Sequence, residues 1–382
     1  MEYQRVTALV PSVLALLVAS SAHAVVQSNT DFGTLSMGGD VEYNVNAANT
    51  SPGNVLGKSD RTDRWDEDGR LLLSIKGVRD LPNGHYGEVL LQPTVGTNGG
   101  ASADDASLTF GVRKDWAVKV GRFEAYDMFP LGQDIFVEHS GDSANDLYTD
   151  GHGYIYMLKE GRGRAGKGGQ LLVNKETGNW YMEVAGLVGD RSNLFNSSQY
   201  HGYDVTKEKD SLILRPVLAW KGEKLKVAIG GEANVIRDAL VITDSSGNEQ
   251  SISKRVGYGV TTTWTASDSL TFNFNAARMD AEDETDTTLG ANTVWQNLGL
   301  GYIFAINDIK DANVANTSAD FSAMIGKHKI HTTYASYKFP SVLGLTNFDI
   351  YLGAYWSQLQ PDSDKVDNMD RYGGRVRFKY FF

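Results

Sequence analysis

The C-terminal segment Asp370–Phe382 constrains the fold more than any other part of this chain. Tyr372, Gly374, Val376, Phe378, Tyr380 and Phe382 alternate with Arg371, Gly373, Arg375, Arg377, Lys379 and Phe381. A period of two belongs to a β-strand, which turns successive side chains to opposite faces. An edge strand of a soluble sandwich also alternates, but it sets its apolar face on a core and its polar face in water. Here three arginines and a lysine share one face, and the other ends in aromatics at the chain terminus. That is the pattern of a strand with hydrocarbon on one side and a wet interior on the other.

The same period recurs along the chain. Leu35, Met37, Val41, Tyr43 and Val45 alternate with Ser36, Gly38, Asp40, Glu42 and Asn44. Leu71, Leu73 and Ile75 oppose Arg70, Ser74 and Lys76; Ala106, Leu108, Phe110 and Val112 oppose Asp105, Ser107, Thr109 and Arg113. Leu212, Leu214, Leu218 and Trp220 face away from Ser211, Arg215 and Lys221, and Phe348, Ile350, Leu352, Ala354 and Trp356 from Asn347, Asp349 and Gly353. No stretch of comparable length sustains a helical period. Trp116, Trp180, Trp220, Trp264 and Tyr380 stand near strand ends, as in the aromatic girdles of membrane interfaces.

The N-terminus points to export. Arg5, an apolar run from Val6 to Val18 and Ala22-His23-Ala24 form a charged region, a short hydrophobic region and an A-x-A cleavage motif. Residues 1–24 therefore read as a secretory signal peptide, leaving 25–382 as one domain. The apolar run is too short for a spanning helix, which needs about 20 residues. Later apolar runs are shorter still, so a membrane-spanning form must be a closed β-barrel, in which every backbone hydrogen bond is made between strands. The chain has no cysteine, hence no disulfide framework, and its net charge of −11 argues against nucleic-acid binding.

Connections alternate in length. Short ones fall at Asp80–Gly84, Arg113–Asp115, Asn174–Asn179, Lys221–Lys224 and Ala266–Ser269. Long polar ones fall at roughly 46–67, 123–161, 190–210, 237–253, 280–292 and 360–369. Short turns at one end and long loops at the other mark an outer-membrane barrel; counting strands between them gives about sixteen, with fourteen to eighteen allowed. The stretch 307–338 is the hardest to divide. The longest connection, 123–161, follows the fifth strand, which makes it the third loop at the long-loop end of the barrel. Phe129, Leu131, Ile135, Phe136, Val137, Leu147, Ile155 and Met157 in it need burial, which an ordered loop folded into the lumen would supply.

Gly121-Arg122, Tyr126-Asp127, Pro130-Leu-Gly-Gln-Asp134 and Gly161-Arg162-Gly163 resemble the constriction loop of trimeric Gram-negative porins. The stretch from Gly121 to Asp134 is more similar to the raffinose-type glycoporins than to the general diffusion porins. The architectural resemblance covers the whole mature chain, and the motif resemblance about forty residues of it. It implies an outer-membrane homotrimer with a loop-constricted aqueous pore for small hydrophilic solutes, oligosaccharides among them. It also implies that Phe382 is an assembly signal read by the barrel-assembly machinery.

In that family an acidic loop faces arginines on the wall. The loop acids are Glu124, Asp127, Asp134, Glu138, Asp142, Asp146 and Asp150. The candidate opposing bases are Arg70, Lys76, Arg113, Arg215, Arg375 and Arg377, with Arg122 and Arg162 at the loop ends. Opposed charges across a narrow aqueous gap make a transverse field that filters solutes. Arg122 and Asp127, at the loop root, serve equally well as pins. Tyr126, Tyr148, Tyr351 and Tyr355 are candidates for stacking on sugar rings, or for packing inside the loop.

Other signals carry less. Gly161–Gly166 spells G-x-G-x-x-G but leads into a strand, not a helix, so it is not a nucleotide site. Asp280–Asp286 lacks the spacing of a calcium loop and reads as a solvated external loop, bridged to lipopolysaccharide by divalent cations. No histidine spacing suggests a metal, and no cofactor is expected. A general non-specific porin is the alternative function. A barrel hydrolase using His139, Ser140 and Asp142, or a soluble exported β-sandwich or lectin, is a more distant one.

Overall fold

The computed structural model describes residues 26–30, 33–49, 64–134, 138–139, 142–143, 155–158, 163–164, 169–195, 198–316, 325–362 and 368–382. Sixteen antiparallel strands close a barrel: β1 Gly33–Ala48, β2 Arg64–Asp80, β3 His85–Gly96, β4 Ala101–Val112, β5 Trp116–Arg122, β6 Gly169–Thr177, β7 Trp180–Gly189 and β8 Ser211–Lys221, then β9 Leu225–Asn234, β10 Val256–Ser267, β11 Leu270–Ala281, β12 Glu284–Trp295, β13 Leu298–Ile309, β14 Gly326–Phe339, β15 Phe348–Pro361 and β16 Met369–Phe381. Each pairs with the next. β16 returns to β1 in the register Asp40↔Phe381 through Ala48↔Gly373. Gly39 and Phe382 exchange backbone hydrogen bonds of 2.9 and 3.0 Å, so the chain terminus completes the seam. A short strand, Val26–Thr30, pairs with β1 just beyond that point on the same edge.

The alternation read in the sequence is the alternation of the wall. On β16, Tyr372, Phe378 and Tyr380 are exposed on the outside, while Arg371, Arg377 and Phe381 are buried on the inside. Among the described residues no helix is long and apolar enough to cross a membrane; the strands do so. Trp180 lies opposite Trp220, and Trp264 stacks on Phe272 at 5.4 Å, beside the short turns. They form part of an aromatic band at that end.

The connections 81–84, 113–115, 178–179, 222–224, 268–269, 296–297 and 340–347 lie at this end, and 49–63, 97–100, 123–168, 190–210, 235–255, 282–283, 310–325 and 362–368 at the other. One expected loop is absent: β11 and β12 pair through Ala281↔Glu284, so 280–292 is a tight hairpin with Asp283 at φ 54°. Glu284 and Asp286 are buried and point inward. A strand polar on its inner face and threonine-rich on its outer face lacks the apolar beat that would mark it, and so reads as a loop. The 307–338 stretch resolves into the end of β13, a connection and most of β14. Residues 1–24, expected as a signal peptide, lie outside the described residues.

Candidate functional site

After β5 the chain turns into the barrel and follows the inner wall strand by strand. The Tyr126 amide donates to Glu183 of β7 at 3.1 Å, and Arg215 of β8 donates to the Tyr126 carbonyl at 2.8 Å. Met128 packs with Leu158, Val217, Ala219 and Ala228 on β8 and β9. The side-chain amides of Asn275 on β11 and Asn292 on β12 both donate to the Pro130 carbonyl, at 2.9 and 2.8 Å. Tyr334 of β14 donates to the Leu131 carbonyl at 3.0 Å. Gln133 donates to the Asn297 carbonyl and to the Ser336 hydroxyl, each at 2.9 Å. Asp134 then meets Arg377 of β16. Nine residues thus cross from β7 to β16 as a collar inside the lumen.

Two features of the sequence force this path. Met128, Phe129 and Leu131 are buried, and an apolar run of this kind has no stable place in water. The wall also leaves room for it. A Cβ on Gly290 of β12 would lie 2.9 Å from the Phe129 ring, and one on Gly257 of β10 would lie 1.8 Å from the Tyr156 hydroxyl of the returning segment. Glycine at inward register positions is the seat of the collar.

At the collar's tip, Arg377 donates from one terminal nitrogen to both carboxylate oxygens of Asp134 at 2.6 Å and from Nε to Asn44 at 2.8 Å. Its other terminal nitrogen lies 3.1 Å from Glu42, which also pairs with Lys379 at 3.2 Å. Beside it, Arg375 donates from Nε to the side-chain oxygen of Asn46 (Oδ1) at 2.7 Å and lies 3.7 Å from Asp68. Asp68 accepts the amides of Asn44 and Asn46 at 2.5 and 2.6 Å, one on each oxygen, yet its side chain remains 53% exposed. Further round the wall, Arg164 pairs with Asp104, Asp105 and Glu124 at 2.9, 2.9 and 2.7 Å, and Arg70 with Asp104 at 3.2 Å.

The structure brings Asp134, Arg375 and Arg377 together and sets Arg70 in the neighbouring cluster. It places other expected bases elsewhere. Arg215 is buried beneath the collar, bound to the Tyr126 and Leu158 carbonyls. Arg122 donates to the carbonyls of Ala103 and Asp104, and Asp127 accepts the Phe129 amide at 2.8 Å; both pin the loop root. Arg113 sits at a short turn, paired with Asp80 at 2.8 Å and 3.6 Å above the Tyr86 ring, and Lys76 pairs with Glu88. Tyr126 packs against Tyr181 at 5.5 Å, with the Lys221 ammonium 3.9 Å from the Tyr181 ring. Tyr351 and Tyr355 point inward but are buried, the latter in one apolar cluster with Leu131 and Tyr334. Tyr148 and Arg162, and the side chains of Glu138 and Asp142, lie outside the described residues.

Sequence reasoning missed Arg164, Asp104, Glu183 and the Asn44–Asn46–Asp68 group. The Asp40–Glu42–Asn44 alternation already placed part of that group on the inner face, and its continuation to Asn46 was the available signal.

A second lobe lies over the β9–β13 side. Connections 190–210 and 235–255 share a core of Phe195, Tyr200, Tyr203, Leu240, Ile242 and Ile252. Burial there pushes the Tyr200 hydroxyl well above its usual range. His201 lies 3.2 Å from the buried Glu284, and Tyr203 donates to Asp311 at 3.1 Å, tying the lobe to the rim.

A closed sixteen-strand barrel with its third loop folded inside defines an outer-membrane porin, a channel and not an enzyme. Solved structures share the fold. The chain is similar to OmpT of Vibrio cholerae (TM-score 0.52, 10% identity, covering 94% of this chain and 100% of that one). It is also similar to an anion-selective porin from Comamonas acidovorans (TM-score 0.56, 12% identity, 91% and 99%). No curated protein matches the sequence. The family model described as porin-like glycoporin RafY matches residues 37–382, and the chain belongs to that family of the bacterial outer membrane.

Proposed function

We propose that this porin is a passive channel for small hydrophilic solutes, with oligosaccharides as its preferred class. The observation that carries the reading is the charged wall beside the collar's tip. Arg375 with Asp68, and Arg70 and Arg164 with Asp104 and Glu124, set both signs of charge at the lumen where the collar narrows it. Such an arrangement orients dipolar solutes and filters ions. Asp68, oriented by two amides, offers acceptor positions to sugar hydroxyls, and Arg375 offers donors. Glu138, Asp142 and Arg162 belong to the same loop and are read as part of the same constriction. Residues 1–24 are read as a cleaved signal peptide and Phe382 as the assembly signal. A homotrimer and contact with lipopolysaccharide follow from the porin resemblance.

Single-channel recording in planar bilayers tests this. Trimeric conductance steps, interrupted by concentration-dependent blocking when an oligosaccharide is added, are expected. The burial of Tyr351 and Tyr355 under the collar favours the second reading, a general porin, since it removes two rings from any sugar track. Steps indifferent to every sugar would leave that reading.

A further inference from the structure

Lys221 ends β8, Lys226 is the second residue of β9, and the two are direct partners across the ladder. Both alternate onto the inner face, in step with the buried Ala219 and Ala228 two residues away. The hairpin between them is fixed: the Lys221 amide donates to the Asn179 carbonyl at 2.7 Å and the Gly222 amide to the Leu225 carbonyl at 2.9 Å. Cβ atoms of opposite residues in such a rung stand about 5 Å apart, so like charges there repel. Among the described residues no other rung of the barrel sets two cations opposite each other.

Other wall cations are answered by acids: Lys76 by Glu88, Lys338 by Asp349 and Lys379 by Glu42. Lys221 and Lys226 make no ion pair among the described residues, and the acids around them are engaged or turned away. Glu183 takes the Tyr126 amide and the Tyr181 hydroxyl and lies beside Arg215. Glu176 of β6 acts on Lys221 through space, without a salt bridge. Glu223, in the turn itself, is exposed and pairs with neither lysine. Lys119 of β5 is also without an ion pair, but it stands alone between Thr109 and Leu172, its ammonium 4.5 Å from the Phe123 ring centre.

Two rings complete the place. The Lys221 ammonium is 3.9 Å from the ring centre of Tyr181 and 5.7 Å from that of Tyr126. The Tyr126 hydroxyl has no hydrogen-bond partner among the described residues. All four side chains are half-buried in the lumen wall, on the short-turn side of the collar root. An oxyanion between the two ammonium groups would replace their repulsion with charge-assisted hydrogen bonds.

We propose that Lys221 and Lys226 bind the oxyanion group, phosphate or carboxylate, of a small solute, with Tyr126 and Tyr181 against its ring. The site lies apart from the Arg375–Asp68 wall and does not depend on the channel's preference for oligosaccharides.

Block of the ion current through the full-length channel in planar bilayers reads the site, with solutes added on the short-turn side. Glucose 6-phosphate and glucuronate carry the anion on a sugar; glucose and inorganic phosphate are the comparison arms. The wild type should be blocked by the sugar anions and far less by glucose. Block by both marks negative charge as the recognised feature, and block by one alone identifies the group. K221Q with K226Q should raise the blocking concentration about tenfold, because hydrogen bonds to charged groups are the stronger kind. That variant should melt no lower than the wild type, since a repelling pair is removed. K221R with K226R should preserve the block, which separates lost charge from lost structure. A wild type indifferent to both sugar anions, equal block by glucose, or unchanged block in the glutamine variant overturns the proposal. Equal block by inorganic phosphate overturns the part given to the tyrosines.

Discussion

Arg377 holds Asp134 by both carboxylate oxygens, at 2.6 Å each, and so fastens a loop that left the wall at β5 to a strand on the other side of the barrel seam. The same guanidinium also meets Glu42 and Asn44, so its charge is shared between wall and loop. Arg377→Gln removes one positive charge and leaves Asp134 and Glu42 facing each other. The reversal potential under a salt gradient is expected to move toward cation selectivity. Asp134→Asn should move it the other way and raise open-channel noise, because the collar's tip loses its charged anchor. Identical reversal potentials in both variants would contradict the assignment.

Arg215 anchors the other end. It is 1% exposed, donates to two loop carbonyls and lies 3.8 Å from the buried Glu183. Arg215→Ala strands Glu183 and both carbonyls, and breaking a buried pair in this way costs about 3–5 kcal/mol. A lower melting temperature and a larger, noisier conductance are expected together, as the collar root comes away from β8. A lower melting temperature with unchanged conductance would show that Arg215 stabilises the wall alone.

The glycine seat can be filled. Gly290→Leu would drive into the Phe129 ring, and overpacking of this kind costs about 1–3 kcal/mol unless the collar moves. The barrel closes without the collar, so the expected outcome is a folded, heat-resistant channel with raised conductance. A variant whose conductance matches the wild type would show that Phe129 finds another place on the wall.

What the sequence disclosed follows from what alternation encodes. Period two assigns a face, so Arg375, Arg377, Tyr351 and Tyr355 were all placed inward, and they are. It does not say what covers that face. Arg215 and Tyr355 lie under the collar, while Asp68 stays half exposed, and only the path of residues 126–134 distinguishes them. The strand beginning at Glu284 was missed because a lumen-facing side may be as polar as a loop. Arg164 lies on the loop, where no period applies, and only its three carboxylate partners show that it belongs to the wall.

The polar group at Asp68 gives the sharpest test of solute recognition. Its two oxygens are each occupied once, by Asn44 and Asn46, and each retains accepting capacity toward the lumen. Arg375 approaches from β16, so a sugar with adjacent hydroxyls would meet a carboxylate and a guanidinium at once. Asp68→Ala removes the acceptor without touching the Arg377–Asp134 anchor. Hydrogen bonds to charged groups contribute more than neutral ones, and the loss should shorten oligosaccharide residence about tenfold while leaving the ion conductance within a small factor. Current-noise analysis of sugar block measures both quantities on the same channel. If the wild type is blocked and Asp68→Ala is blocked equally, the sugar contact lies elsewhere on the wall, and the Arg70–Arg164–Asp104 cluster is the next place to cut.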